Sequence, residues 1–253
     1  MIGEGMRGRG HEVEYWTADK KIFSKLPSSS RFLKKWLQYA DQFLIYPFEL
    51  AAAVEQEPDE TLFVVADQAL GIWIPYIKER KHVVHCHDFL ALRSSLGEIP
   101  ENPTSWTGKV YQRLIQRGFR TARNFISVSE KTRADLHRFL IRAPERSEVI
   151  YNGLADQFPG ESLGNEIVSE SDRGAILHVG GNQWYKNRLG VLEIYAAYAR
   201  GSENPLPLRM LGASPSPLLI QRAEKIEPPG RVEFLANPAD SDIRKAYTTS
   251  SLL

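Results

Sequence analysis

The chain has 253 residues, of which 42% are hydrophobic and 25% charged, a globular composition with room for one large domain or two smaller ones. Lys and Arg number 32 against 31 Asp and Glu, and the net charge of +1 excludes a whole-molecule field that would draw the protein to nucleic acid. The single cysteine, Cys86, excludes an internal disulfide framework, no stretch approaches the roughly 18 apolar residues of a membrane span, and Met1-Ile2-Gly3-Glu4-Gly5 lacks the apolar core of a signal peptide, so a cytoplasmic location is expected.

The chain opens on what reads as a helix end, and Arg9-Gly10-His11-Glu12-Val13 reads as a helix-to-strand turn. Val13-Glu14-Tyr15-Trp16 alternates with period two and predicts a strand. Basic and aromatic residues recur at helical spacing through 31–45 (Arg31, Lys34, Lys35, Trp36, Tyr39, Phe43). They predict an amphipathic helix, either packed on its domain with solvated lysines or in peripheral contact with an anionic membrane. Short apolar runs at 62–66 and 83–86 predict buried strands, and 102–108 a loop. Val110, Tyr111, Leu114, Ile115, Phe119 and Ala122 share one face of a helix. A strand at 125–128 leads to Ser129, which can cap a helix through Asp135 and Leu136. A strand at 148–151 ends in Asn152-Gly153, a tight turn.

Pro159, Gly160, Gly164 and Asn165 break the rhythm and predict a linker over 158–173. Strands follow at 175–179, 208–211 and 232–235. Between them Leu189, Leu192, Ile194, Tyr195 and Tyr198 cover a broad helix face, and Asp240 or Ser241 can cap a last helix through Ile243 and Tyr247. Strands alternating with helices predict βαβ units and parallel sheets. The expected fold class is α/β, with an N-terminal domain over 1–157, the linker, and a partial C-terminal domain over 174–253. No strand precedes Arg9, and the helical pattern at 248–253 carries no stop signal, so a chain shortened at both ends is expected.

Two segments carry chemistry. In His82-Val83-Val84-His85-Cys86-His87-Asp88, a strand would put His85 and His87 on one face, where they could hold an ion. No second cluster has ligand spacing, so no metal is expected, and Cys86 reads as an inert core thiol. In Gly180-Gly181-Asn182-Gln183-Trp184-Tyr185-Lys186-Asn187, a glycine pair after a buried strand lets backbone approach an anion closely. Amides of the following helix would point at that anion, and Lys186 would add a full charge. The bland reading of Lys186 is a solvated side chain at a helix start. Trp184 and Tyr185 either stack on a ligand or fill an interface.

Taken in order, these segments resemble glycosyltransferase family 4. The resemblance is carried by Arg9-Gly10-His11-Glu12-Val13, by His87-Asp88, and by Phe125-Ile126-Ser127-Val128-Ser129-Glu130 with Thr132, Arg133, Asp135 and Leu136. It continues in Val149-Ile150-Tyr151-Asn152-Gly153, in Leu177-His178-Val179-Gly180 with Lys186-Asn187, and in the strands at 209–212 and 232–235. Gly181 stands where many members carry Arg or Thr, Tyr185 where Arg is common, and the family's paired glutamates would fall beyond Leu253. The resemblance implies a GT-B architecture of two Rossmann-like domains and retaining transfer of a hexose such as mannose; Asp240-Ser241-Asp242 sits at a predicted helix start rather than in a loop suited to a metal-bound diphosphate, so a metal-independent reaction is expected. The donor is a nucleotide-diphosphate sugar, acting as co-substrate rather than cofactor, and the acceptor a glycan or lipid-linked hydroxyl. It places donor binding at Gly180, Gly181, Asn182, Lys186 and Asn187, and catalysis at Lys186, His87 and Asp88, with Asp88 orienting His87. The alternatives are a non-catalytic glycosyltransferase-like fragment and a His-metal hydrolase.

Overall fold

The computed structural model describes residues 2–18, 41–153, 174–228 and 230–252. The predicted linker and residues 31–40 of the predicted amphipathic helix lie outside them. The chain divides into two compact units, Met1–Gly153 and Leu154–Leu253.

The first unit begins with α1 (Ile2–Arg7), which ends as the Arg-Gly-His sequence requires. Gly10 takes φ +86°, and the His11 N–H reaches back to the Met6 carbonyl at 3.1 Å, closing the helix through a left-handed glycine. A π-helical turn (Asp41–Ile45) leads into α2 (Tyr46–Gln56). Then come β1 (Phe63–Val65), a 3-10 stretch (Gln68–Tyr76), β2 (His82–Cys86) and α3 (Leu90–Ser95). They are followed by α4 (Trp106–Phe119), β3 (Asn124–Ser127), α5 (Glu130–Phe139) and β4 (Arg146–Val149). The strands are parallel in the order β1-β2-β3-β4, with Val84 opposite Phe125 and Cys86 opposite Ser127.

Sequential order with right-handed crossovers puts the connecting helices on one sheet face. There Ile74, Val84, Phe89, Ile115, Phe119, Phe125, Leu136 and Phe139 form a core around the buried Cys86. The 3-10 stretch meets α4 backbone to backbone. A Cβ on Gly118 would lie 1.8 Å from the Gly71 carbonyl oxygen, so glycine is required there. Ser129 caps α5 as its sequence predicts, accepting from the Thr132 N–H.

The second unit contains β5 (Ile176–Val179), a 3-10 turn (Trp184–Lys186), α6 (Arg188–Arg200), β6 (Leu208–Gly212), α7 (Pro217–Glu224), β7 (Val232–Ala236) and α8 (Asp240–Thr249). Its strands are parallel in the order β5-β6-β7, and Leu252 forms a parallel bridge to Ile176. Leu208 and Met210 pack under α6 and α7, whereas Leu177 and Leu211 pack against Ala246 of α8. The two faces are therefore covered by different crossovers. Each unit is Rossmann-like, in keeping with the GT-B expectation.

Three local readings are corrected. Residues 13–16 form no strand, because alternation alone does not make a ladder and no neighbouring strand pairs with them among the described residues. Trp16 packs edge-on against Phe63, and the Val13 carbonyl accepts from Arg7. The last helix is preceded by Ala239, not capped by Asp240 or Ser241; the Asp242 carboxylate accepts from the Ala239 N–H instead. On α6, Leu192 and Tyr195 are buried but Ile194 is 73% exposed, so the core stripe is narrower than predicted.

Candidate functional site

Ligands of open α/β sheets bind beyond the carboxyl ends of the strands, where crossovers diverge in direction. In the second unit β6 lies on one side of β5 and Leu252 on the other, with α6 and α8 on opposite faces. The loop leaving the carboxyl end of β5 is Gly180 to Asn187, so the glycine-rich segment sits at the switch point.

Its geometry explains its residues. The Gly180 N–H extends the ladder to the Leu211 carbonyl at 2.9 Å. A Cβ on Gly180 would meet the Lys186 stem at 3.1 Å and His178 Nε2 at 3.3 Å, so the lysine crosses the bare face of this glycine. Gly212, at φ +142°, lies so close beneath that its Cβ would be 2.1 Å from the Gly180 oxygen. Lys186 then leans over the Tyr185 ring, its Nζ 5.8 Å from the centroid. Tyr185 is half exposed and in edge contact with Trp184. Asn187 is left-handed at φ 44° and caps α6 through the Gly190 N–H at 3.3 Å, which turns the first amides of α6 toward the loop.

The side chain of Asn182 is engaged within the protein. Its amide oxygen accepts from Arg188 at 2.6 Å and its nitrogen donates to the Ser214 carbonyl at 2.8 Å. The side chain thus ties the loop to the end of β6. Arg188 also donates to the Ala213 carbonyl at 2.9 Å and is 6% exposed. Burial holds its pKa below the usual guanidinium value. Burial, then the charges of Arg188 and Lys186, lower the pKa of His178, whose Nε2 has no hydrogen-bond partner. Among the described residues no carboxylate pairs with Lys186 or Arg188. Two cations at a helix N-terminus oppose the helix dipole, an arrangement that suits an incoming anion. Sequence reading missed Arg188 and His178, which looked like a helix start and a strand residue.

In the first unit, His87 and Asp88 follow the carboxyl end of β2. The rings of His85 and His87 share a face as predicted, with centroids 4.4 Å apart. Burial, followed by the neighbouring His87, lowers the pKa of His85, which works against charging both rings. His82, two positions earlier, is structural: Nδ1 donates to the Arg80 carbonyl at 2.8 Å and Nε2 accepts from the Arg123 N–H at 3.1 Å. Cys86 is fully buried and its thiol is pushed up to about 12, as an inert core thiol should be.

His87 is held on three sides. Its N–H donates to Gln68 Oε1 at 2.9 Å, its carbonyl accepts from Thr132 Oγ1 at 3.1 Å, and Nε2 donates to the Ala66 carbonyl at 3.0 Å. That last bond fixes the tautomer and leaves Nδ1 as the acceptor nitrogen. Asp88 does not orient the ring. Its carboxylate accepts from the Leu90 N–H at 2.9 Å, while its carbonyl takes the Gln68 amide. Gln68 is the residue of the first unit that sequence reading overlooked. Its signal was positional: it lies just past β1, on the same carboxyl edge as His87. Among the described residues no group of three His, Cys, Asp or Glu side chains could hold a metal, and the His85–His87 pair stands without further ligands.

The site residues thus fall into two groups, one per unit. Among the described residues no helix is long and apolar enough to cross a membrane. No curated protein matches the chain. A sequence model described as Glycosyltransferase Family 4 matches residues 1–158, which include His87, Asp88 and Gln68 and end before the Gly180 loop. With more than half its length matched, and with parallel Rossmann-like sheets in both units, the chain belongs to glycosyltransferase family 4.

Proposed function

We propose that the protein transfers a hexose, such as mannose, from a nucleotide-diphosphate sugar to the hydroxyl of a glycan or lipid-linked acceptor, on the cytoplasmic side, with retention and without a metal. The observation that carries this reading is the loop from Gly180 to Asn187, where Lys186 and Arg188 stand without carboxylate partners among the described residues. As the bond from the anomeric carbon to the diphosphate breaks, negative charge grows on the leaving phosphate. Lys186 and the first amides of α6 stabilise that charge, and each such preorganised donor is typically worth ~3–4 kcal/mol in the transition state. The acceptor hydroxyl oxygen bonds to the anomeric carbon as the diphosphate leaves, and its proton passes to the departing phosphate; His87 Nδ1 is a hydrogen-bond acceptor for a different hydroxyl of the acceptor substrate. Asp88 shapes the segment through the Leu90 N–H rather than through the histidine. Asp240-Ser241-Asp242, the sequence's one Asp-x-Asp, opens α8, where the Asp242 carboxylate accepts from the Ala239 N–H. The domain assignment of 1–157 for the acceptor and 174–253 for the donor belongs to this reading.

The test is turnover of the full chain with UDP-, GDP- and ADP-hexoses, following nucleoside diphosphate release and the anomeric configuration of the product by NMR. Transfer with retention, insensitive to chelator and reduced about 100-fold or more by Lys186→Ala, is expected. Release unchanged by that substitution overturns the assignment. Absence of both binding and release would favour the non-catalytic reading.

A further inference from the structure

Arg188 is the only buried charged side chain among the described residues of the second unit. It opens α6, and its guanidinium carbon stands 5.9 Å from the centroid of the Phe234 ring on β7. Nη1 donates twice, to Asn182 Oδ1 at 2.6 Å and to the Ala213 carbonyl at 2.9 Å. Asn182 donates in turn to the Ser214 carbonyl at 2.8 Å. Arg188 and Asn182 therefore clamp the loop after β5 onto the segment that follows β6.

The loop has little else to hold it there. The Gly180 N–H closes the ladder to the Leu211 carbonyl, and the next backbone bond runs from the Lys186 N–H to the Gln183 carbonyl. Between them, among the described residues, the N–H groups of Gly181, Asn182 and Gln183 have no partner. Successive free amides suit an oxyanion, but only where the backbone that carries them is fixed. Asn182 lies in the middle of this stretch, so its side chain is the anchor. Stability does not explain why an arginine holds that anchor. A guanidinium taken out of water is destabilising unless a carboxylate and a full set of hydrogen bonds offset the loss. Among the described residues Arg188 has no carboxylate partner, and its Nε is buried without an acceptor. A methionine would fill similar space over Phe234 and leave the exposed Asn182 to water. It would not supply two donated bonds from one fixed nitrogen.

We propose that Arg188 is a positioning residue for the donor diphosphate. Through Asn182 it fixes the free amides of Gly181, Asn182 and Gln183 relative to Lys186 and the first turn of α6, without itself touching the donor. The inference rests on the donor-loop reading and adds to it a residue that acts from beneath the loop. Lys186 supplies charge to the ligand, whereas Arg188 supplies the geometry of the backbone that meets it.

The experiment is calorimetric titration of the full chain with UDP, GDP and ADP, with thermal melts of every variant. Arg188→Met should melt at or above wild type, because it removes a buried charge that no carboxylate offsets. It should nevertheless bind nucleoside diphosphate about 10-fold more weakly, the size of one charged hydrogen bond. Arg188→Lys keeps the charge but not the planar group stacked on Phe234, and should bind as weakly as Arg188→Met. Asn182→Ala, at an exposed position, should lose a similar factor. The Arg188→Met, Asn182→Ala double variant should lose no more than either single one, since both remove the same clamp. Wild-type affinity in Arg188→Met, full recovery in Arg188→Lys, or additive losses in the double variant overturns the proposal. So does weaker binding of Arg188→Met that comes with a lowered melting transition, which would make the arginine a prop of the fold. Each of these results leaves the donor-loop reading standing, because Lys186→Ala tests that separately. Absence of nucleotide binding by wild type would remove both.

Discussion

Gly212→Ala probes the contact on which the candidate donor loop rests. Gly212 has φ +142°, a backbone region that L-residues rarely adopt, and its Cβ would stand 2.1 Å from the Gly180 oxygen and 2.7 Å from its carbon. An ordinary contact begins near 3.4 Å, so two backbone segments must separate by more than an ångström. The movement strains the Gly180 N–H bond to the Leu211 carbonyl, 2.9 Å, and the Asn237 N–H bond to the Gly212 carbonyl, 2.6 Å. Overpacking costs about 1–3 kcal/mol and the strained φ about 1–3 kcal/mol more, so a destabilisation near 4 kcal/mol is expected. At about 4–8 °C per kcal/mol for a domain of this size, the melting transition of the second unit should drop by more than about 15 °C. Calorimetry with urea titration reads this directly. Gly153→Ala, where a Cβ meets nothing within 4 Å, is the control and should be near neutral. Gly180→Ala forms the contrast: its Cβ meets only the Lys186 and His178 side chains, at 3.1 and 3.3 Å, so stability should change by less than about 1 kcal/mol while Lys186 is displaced. A Gly212→Ala protein within ~1 kcal/mol of wild type would refute the close approach of the two loops.

Two further predictions concern the fold. Gly118→Ala should destabilise the first unit by about 3 kcal/mol despite alanine's better helix propensity, because its Cβ would lie 1.8 Å from the Gly71 oxygen; urea unfolding measures it. The same shift would move the 3-10 stretch that starts at Gln68 and so loosen His87, visible as altered imidazole NMR resonances. Stability should also fall on acidification. His85 and His178 both have folded pKa values lowered from 6.5, chiefly by burial, so the unfolded chain binds protons that the folded protein does not. Their contribution is complete above about pH 6.5 and is lost as the pH falls through the folded values. Thermal melts between pH 8 and pH 5 should show this loss, and His178→Gln should flatten the part belonging to the second unit.

Much of the fold was legible because a buried parallel strand needs a short apolar run and little else. The runs at 83–86, 125–128 and 208–211 each met this condition and became β2, β3 and β6. Val13 to Trp16 had the alternation but no paired neighbour, and pairing is a property of two segments that no single window displays. Caps followed the same logic. Ser129 could be read because its oxygen meets an amide three residues away, whereas Ala239 offered nothing local and its amide is satisfied by Asp242. In the site, the glycines and Lys186 were visible as a contiguous motif. The partners of His87 come from Ala66, Gln68 and Thr132, distant in sequence, and only their shared place at the carboxyl ends of strands connects them. Arg188 was hidden because its burial depends on Asn182, Ala213 and Phe234 closing around it.

The most direct test of the central claim is calorimetric titration of the full chain with UDP, GDP and ADP, comparing wild type with Lys186→Ala. A charge-assisted contact to phosphate contributes about 1.5–3 kcal/mol, so the account predicts binding of at least one nucleoside diphosphate and a loss of affinity of about 10- to 100-fold in the variant. Equal affinities in the two proteins, or no binding of any of the three by wild type, would contradict it.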